Sequence, residues 1–275
     1  MTAETGTPAR GGRQPALGPP VGGGLAGALG AEWLKLWTVR STWLCLLAAV
    51  ALQTAYSVIV GVAGRSQGEG AAADAANMTP PETAVGGTLY MSQFALVAPA
   101  VLSIAGEYAT GSVGTTLLCV PVRGRMLAAK SLVVSLVLFA VGAALAPLGM
   151  LMAVVTMGGE GARTGSGDVI AHALAIGAYL ALVSVLVIGL GAVMRSTAGT
   201  LTAAVVVLLV VPVGLMLPKA DALVGVANLL PGPAGLHLMY GTTGPYGRGV
   251  ALALLAAWAG LAHAAGHLAL RRRDV

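Results

Sequence analysis

The sequence predicts an all-α polytopic membrane protein with six transmembrane helices. Three observations carry that prediction. Of 275 residues, 57% are hydrophobic and only 9% charged, whereas a soluble domain carries about 25% charged residues to cover its surface. Mean hydropathy is +0.86. Six stretches approach or exceed the roughly 20 apolar residues needed to cross a bilayer core, at 42–64, 87–106, 127–157, 169–194, 197–217 and 249–270. Finally, the basic residues fall unevenly on the loops between them.

Residues 1–28 are rich in Gly, Pro, Thr and Ala without apolar periodicity, the composition of a disordered tail. Residues 29–275 then form a single membrane domain. The first apolar run starts too late and is too long for a signal peptide. Ahead of the first span, Leu29, Trp33, Leu36, Trp37 and Arg40 recur at helical spacing. Two tryptophans on one face with basic neighbours describe a helix lying in the membrane interface. Glu32 and Lys35 lie off that stripe.

The third span is longer than a bilayer requires and contains Pro147, so tilting or kinking is expected. Pro99 and Pro212 also fall within spans, where neighbouring helices can satisfy the freed carbonyls. Between the fifth and sixth spans, residues 221–230 are apolar but too short to cross, and residues 231–235 (Pro-Gly-Pro-Ala-Gly) read as a sharp break. An external re-entrant or interfacial helix is expected there.

Orientation follows from the loops. With the N-terminus inside, Arg10, Arg13, Lys35, Arg40, Arg123, Arg125, Lys130, Arg195, Arg271, Arg272 and Arg273 lie on one side and Arg65, Arg163, Lys219 and Arg248 on the other, 11 against 4. Both termini are therefore expected in the cytoplasm, with the chain multi-pass in the cell membrane.

No catalytic constellation is present in the sequence. There is no Gly-Lys pair to build a phosphate-binding P-loop and no His-Glu-x-x-His. His263 and His267 are four apart, as metal ligands on a helix can be, but no Cys or carboxylate lies near in sequence to complete a site. The span interiors lack the acidic or basic groups that mark proton and ion relays. Their neutral polar groups Gln53, Tyr56, Ser57, Gln93 and Ser103 are expected to bond between helices. Cys45 and Cys119 fall in a span and in the second polar connection, which argues against a disulfide framework.

The most informative stretch runs from Gly106 to Lys130, between the second and third spans. Glu107 and Tyr108 suit the membrane boundary. Gly111, Ser112, Gly114 and Thr115 are weak helix formers, Leu117, Leu118 and Val120 can hold a short helix to the membrane, and Pro121 ends it. Arg123, Arg125 and Lys130 then start the next span as membrane-side anchors at the anionic leaflet. Glu107-Tyr108, Gly111-Ser112, Thr115-Thr116, Pro121 and Arg123-Gly124-Arg125, with Glu32, Lys35, Arg40 and Ser41 earlier, form a pattern similar to that of the membrane subunits of type-2 ABC transporters, mostly exporter-type permeases. Two positions depart from it, since relatives often carry basic residues where Gly114 and Val122 stand.

The resemblance implies a permease subunit that forms a translocation pathway as a homodimer or with a similar permease, and that has no ATPase site of its own. A cytosolic ABC ATP-binding subunit would hold ATP and Mg2+; no cofactor, metal or nucleic acid is expected on this chain. The resemblance further implies a cytoplasmic coupling helix between spans two and three, with Glu107, Tyr108, Gly111, Ser112, Thr115 and Thr116 coupling to the ATPase. Glu32, Trp33, Lys35, Trp37 and Arg40 would position the N-terminal interfacial helix beside the same contact. The alternative is an ATP-independent six-span protein: a membrane-embedded enzyme, an assembly factor or a secondary transporter.

Overall fold

The computed structural model describes residues 24–65, 77–119, 122–157, 165–241 and 245–272. The expected tail falls mostly outside them, and so do Val120 and Pro121. Among the described residues there are helices and no strands, and six helices are long and apolar enough to cross a membrane. The protein is an all-α polytopic membrane protein.

Helix α1 (Gly24–Thr38) begins earlier than Leu29 and stops at Val39, whose extended backbone (φ −87°, ψ 120°) separates it from α2 (Arg40–Ala63). The indole N–H of Trp43 donates to the carbonyl of Trp37 at 3.2 Å across this break. Trp37 packs between Trp33, edge-on, and Trp43, tilted, with ring centroids 5.6 and 5.1 Å away. The buried stripe of α1 is Ala28, Glu32 and Leu36, so a carboxylate faces inward while Trp33 is largely exposed.

The second span, α3 (Pro80–Thr110), starts well before the expected residue 87. Its start is a capping box: the Thr79 amide donates to the Glu82 carboxylate at 2.7 Å, and Thr79 Oγ1 accepts from the Glu82 amide at 3.4 Å. Pro80 occupies the first turn, where no amide is needed. The proline pair and the acid mimic a loop in sequence but form a helix start.

A turn of π-helix interrupts α3 at Thr88–Ser92, and polar side chains explain how it is held. Gln53 of α2 is fully buried; its amide donates to the Ala84 carbonyl at 3.0 Å, and its Oε1 accepts from Ser92 (3.1 Å) and Thr88 (3.4 Å). Gln93 donates to the Leu89 carbonyl and accepts from the Tyr179 hydroxyl at 2.6 Å. Gln53 and Gln93 thus bond within and between helices, as expected of neutral polar groups inside spans. Ser103 instead bonds the Ala100 carbonyl of its own helix.

After the short α4 (Val113–Cys119) come α5 (Arg123–Met157), α6 (Ser166–Met194) and α7 (Thr197–Met216), the last carrying a second π-turn at Val206–Val210. Helix α5 continues through Pro147 as one helix. Two short helices, α8 (Asp221–Asn228) and α9 (Pro231–Tyr240), meet at a 77° bend before the last span, α10 (Arg248–Arg272). Residues 231–235 are not the break. They are the buried first turns of α9, with Pro231 at its first position, and the bend lies just before them. Carbonyls freed at the bend find side-chain donors, as buried helix ends require: Trp258 Nε1 donates to Leu229 at 2.9 Å and the Tyr246 hydroxyl donates to Asn228.

Small residues set the helix spacing. A Cβ on Gly142 would lie 3.1 Å from the Gly177 Cα, joining α5 to α6, and one on Gly189 would lie 2.3 Å from the backbone of Ala262 on α10. Such close approaches are how membrane helices gain packing when lipid supplies no hydrophobic contrast. Alanine at Gly189 should therefore lower stability by about 1–3 kcal/mol through overpacking, although Gly to Ala in an open helix position gains up to about 1 kcal/mol. Gly214 of α7 has no atom within 4 Å of a built Cβ, so Gly214→Ala should be neutral or stabilising. Equilibrium unfolding in micelles checks both; a Gly189→Ala variant as stable as the native chain would show that the α6–α10 seam is not this close.

Candidate functional site

Four charged side chains from three elements meet at the end of the bundle where α1 packs. Lys130, on the second turn of α5, is 0% exposed. Its ammonium donates to Glu32 of α1 at 2.8 Å and to Glu107 near the end of α3 at 2.6 Å. Lys35 of α1 donates to the same two carboxylates at 3.2 and 2.9 Å, and to the hydroxyl of Thr116 on α4 at 3.2 Å. The two lysines balance the two glutamates, so the cluster carries no net formal charge.

Local geometry explains why these groups can converge. Glu32 and Lys35 are three apart on α1, close enough to pair on one helix surface. Gly111 ends α3 with φ +71°, a left-handed conformation that costs a residue with a Cβ about 1–2 kcal/mol. That turn delivers α4 beside Lys35. Within the turn, Thr110 and Ser112 share a hydrogen bond of 2.9 Å and the Thr115 hydroxyl donates to the Ser112 carbonyl at 2.8 Å.

Burial alone would lower the pKa of Lys35, but the Glu107 hydrogen bond and the Glu32 and Glu107 charges outweigh it and raise it above the ordinary lysine value. A raised lysine pKa stabilises the fold throughout the range below the ordinary value and loses that contribution only as pH climbs through the raised one. Lys35 is an ammonium at any physiological pH.

The remaining predicted residues take different positions. Tyr108 is half-buried, with the Arg195 guanidinium 5.1 Å from its ring centroid, a cation–π contact that joins the end of α3 to the start of the α6–α7 connection. Arg195 itself ends α6 in the left-handed conformation (φ 54°). Arg123 donates to the Leu270 carbonyl in the last turn of α10, a favourable site for a cation. Gly124 packs against the His267 ring. Arg40 and Arg125 are exposed. Lys130 corrects the expectation of a headgroup anchor: it points into the protein and is neutralised there by two carboxylates.

Arg195, by sequence only a loop charge, also takes part at this end of the bundle. Its signal was the brevity of its connection, since Arg195 and Ser196 alone separate the fourth and fifth spans. His263 bonds the Ser131 hydroxyl at 3.2 Å, and no group of three or more metal-ligating side chains occurs among the described residues. No family model matches the chain and no curated protein matches it.

The arrangement fastens α1, α3, α4 and α5 to one another. Replacing Lys130 by Met would leave two carboxylates facing a single, half-exposed lysine, and breaking a buried pair in this way costs about 3–5 kcal/mol. The paired exchange Lys130→Glu with Glu107→Lys should recover part of that loss. Unfolding midpoints of the single and double variants decide it: additive effects would mean that the two side chains do not interact.

Proposed function

We propose that this chain is the membrane-spanning permease subunit of an ATP-driven ABC exporter. It forms the translocation pathway as a homodimer or with a similar permease, and a separate cytosolic subunit supplies the ATP. One observation carries the reading. The two patches on which the sequence resemblance rests, Glu32 to Thr42 and Glu107 to Lys130, are distant in sequence yet meet at one four-charge cluster. A coupling device needs that convergence: force applied to a short helix must reach the spans through stiff contacts. Helix α4 is the candidate lever, tied to Lys35 through Thr116 and, through the shared carboxylates, to Lys130 on the third span.

The basic residues support an orientation with this end in the cytoplasm. Lys35, Arg40, Arg123, Arg125, Lys130, Arg195, Arg271 and Arg272 belong to this end of the alternating spans, against Arg65, Lys219 and Arg248 at the other among the described residues. Nucleotide-driven closure of the ATP-binding subunits would then push α4, and the spans would switch between inward- and outward-facing arrangements as rigid bodies.

Purifying the tagged chain in mild detergent should bring down a P-loop ATPase. Thr115→Arg, an exposed position on α4, should lose that ATPase while the permease stays folded and monodisperse. Glu107→Ala should remain in the membrane and lower export on the order of tenfold relative to ATP hydrolysis. If no ATPase accompanies the native chain, or Thr115→Arg retains it fully, the exporter reading or its α4 contact is wrong.

A further inference from the structure

Beside the charge cluster lies a cavity of about 360 Å³ bounded by α1, α2, α3, α4 and α5, within the size range of small-molecule sites. Its lining divides into two zones. Leu36, Val39, Pro99, Leu102 and Val134 make an apolar wall, while the hydroxyls of Ser41, Thr110, Ser112, Thr115 and Thr116 belong to the polar part. Glu32, Lys35, Glu107 and Lys130 also line it, and their charges cancel.

We propose that this cavity binds an uncharged amphiphile, its hydroxyl or amide head among the threonine and serine hydroxyls and its apolar body against Leu36, Pro99 and Leu102. A bound cation would approach two ammonium groups whose carboxylate partners are already engaged, and a bound anion would approach Glu107 and Glu32, so either is opposed by a like charge that is not free to move. A wholly apolar molecule would strip water from the hydroxyls and return no hydrogen bond. A neutral donor–acceptor head meets neither penalty. The inference goes beyond the exporter reading and needs no ATPase, so the two fail separately.

The test uses the purified full chain alone in lipid nanodiscs, photolabelled with an octanol derivative carrying a diazirine on its tail. Octanol, octane, octylamine and octanoate compete at equal membrane mole fraction. Labelled peptides should map to Leu36, Val39 and Leu102, with octanol competing about fivefold better than octane, the effect of roughly one net hydrogen bond, and better than either charged analogue. Gly106→Leu adds bulk to the lining at a position where a built Cβ meets nothing nearer than Leu102 at 4.0 Å, and it should abolish the site-specific label. Ser103→Phe should do the same from the next turn of α3. Labelling spread evenly over the spans, equal competition by octane or octylamine, or undiminished labelling in a folded filled variant would each overturn the proposal.

Discussion

The burial of Lys130 is the constraint on which the rest of this end of the molecule depends. An ammonium with no solvent exposure inside a membrane protein is tolerated only where charge and hydrogen bonds replace its hydration. Here two carboxylates do so, at 2.6 and 2.8 Å. Neither carboxylate is on the helix that carries the lysine, so α1 and α3 must both sit against α5 for the charge to be held. Lys35 completes the balance and extends it to Thr116 on α4. Because single removals are costly whereas the intact set is neutral, the cluster acts as a latch more than as a source of net stability.

The same logic, that polar groups inside the bilayer must be answered by protein, shapes the remainder of the bundle. The π-turn of α3 is held by Gln53 and Gln93, and Gln93 is held in turn by Tyr179. Gly87 and Gly149 leave room for Gln53, since a Cβ on either would lie within 2.7 Å of its amide nitrogen. At the other irregular site, Gly232 brings α9 against the Leu208 carbonyl in the π-turn of α7, where a Cβ would come within 2.1 Å. Gly235 lets the same helix lie on the Tyr179 ring. Tyr179 therefore stands between the bent helix pair and the polar core around Gln53.

Much of the fold was legible because span length and hydropathy are local properties. The limits of α2, α5, α6, α7 and α10 lie within a few residues of those expected, and the short helix α4 follows the expected polar connection. The start of α3 was hidden by Pro80, Pro81 and Glu82, which look like a loop unless Thr79-x-x-Glu82 is taken as a capping box. Residues 231–235 misled for the same reason, because proline both ends helices and starts them. What a single sequence could not convey was tertiary pairing. Nothing in the text of Glu32, Glu107 and Lys130 says that they share one hydrogen-bonded cluster, and a lysine early in a span reads equally well as facing headgroups or facing in. The stacking of Arg195 over Tyr108 and the hold of Arg123 on the end of α10 were equally unreadable, each joining helices far apart in sequence.

By this reading the four-charge cluster is a mechanical link between α1 and α4. It is tested most directly by pulsed electron resonance distances between spin labels at Ala31 on α1 and Gly114 on α4, with Cys45 and Cys119 replaced by Ser. The native chain should give one narrow distance, and Lys35→Gln, which removes the ammonium joining Glu32, Glu107 and Thr116, should broaden it markedly. An unchanged narrow distribution in a folded Lys35→Gln protein would contradict the account.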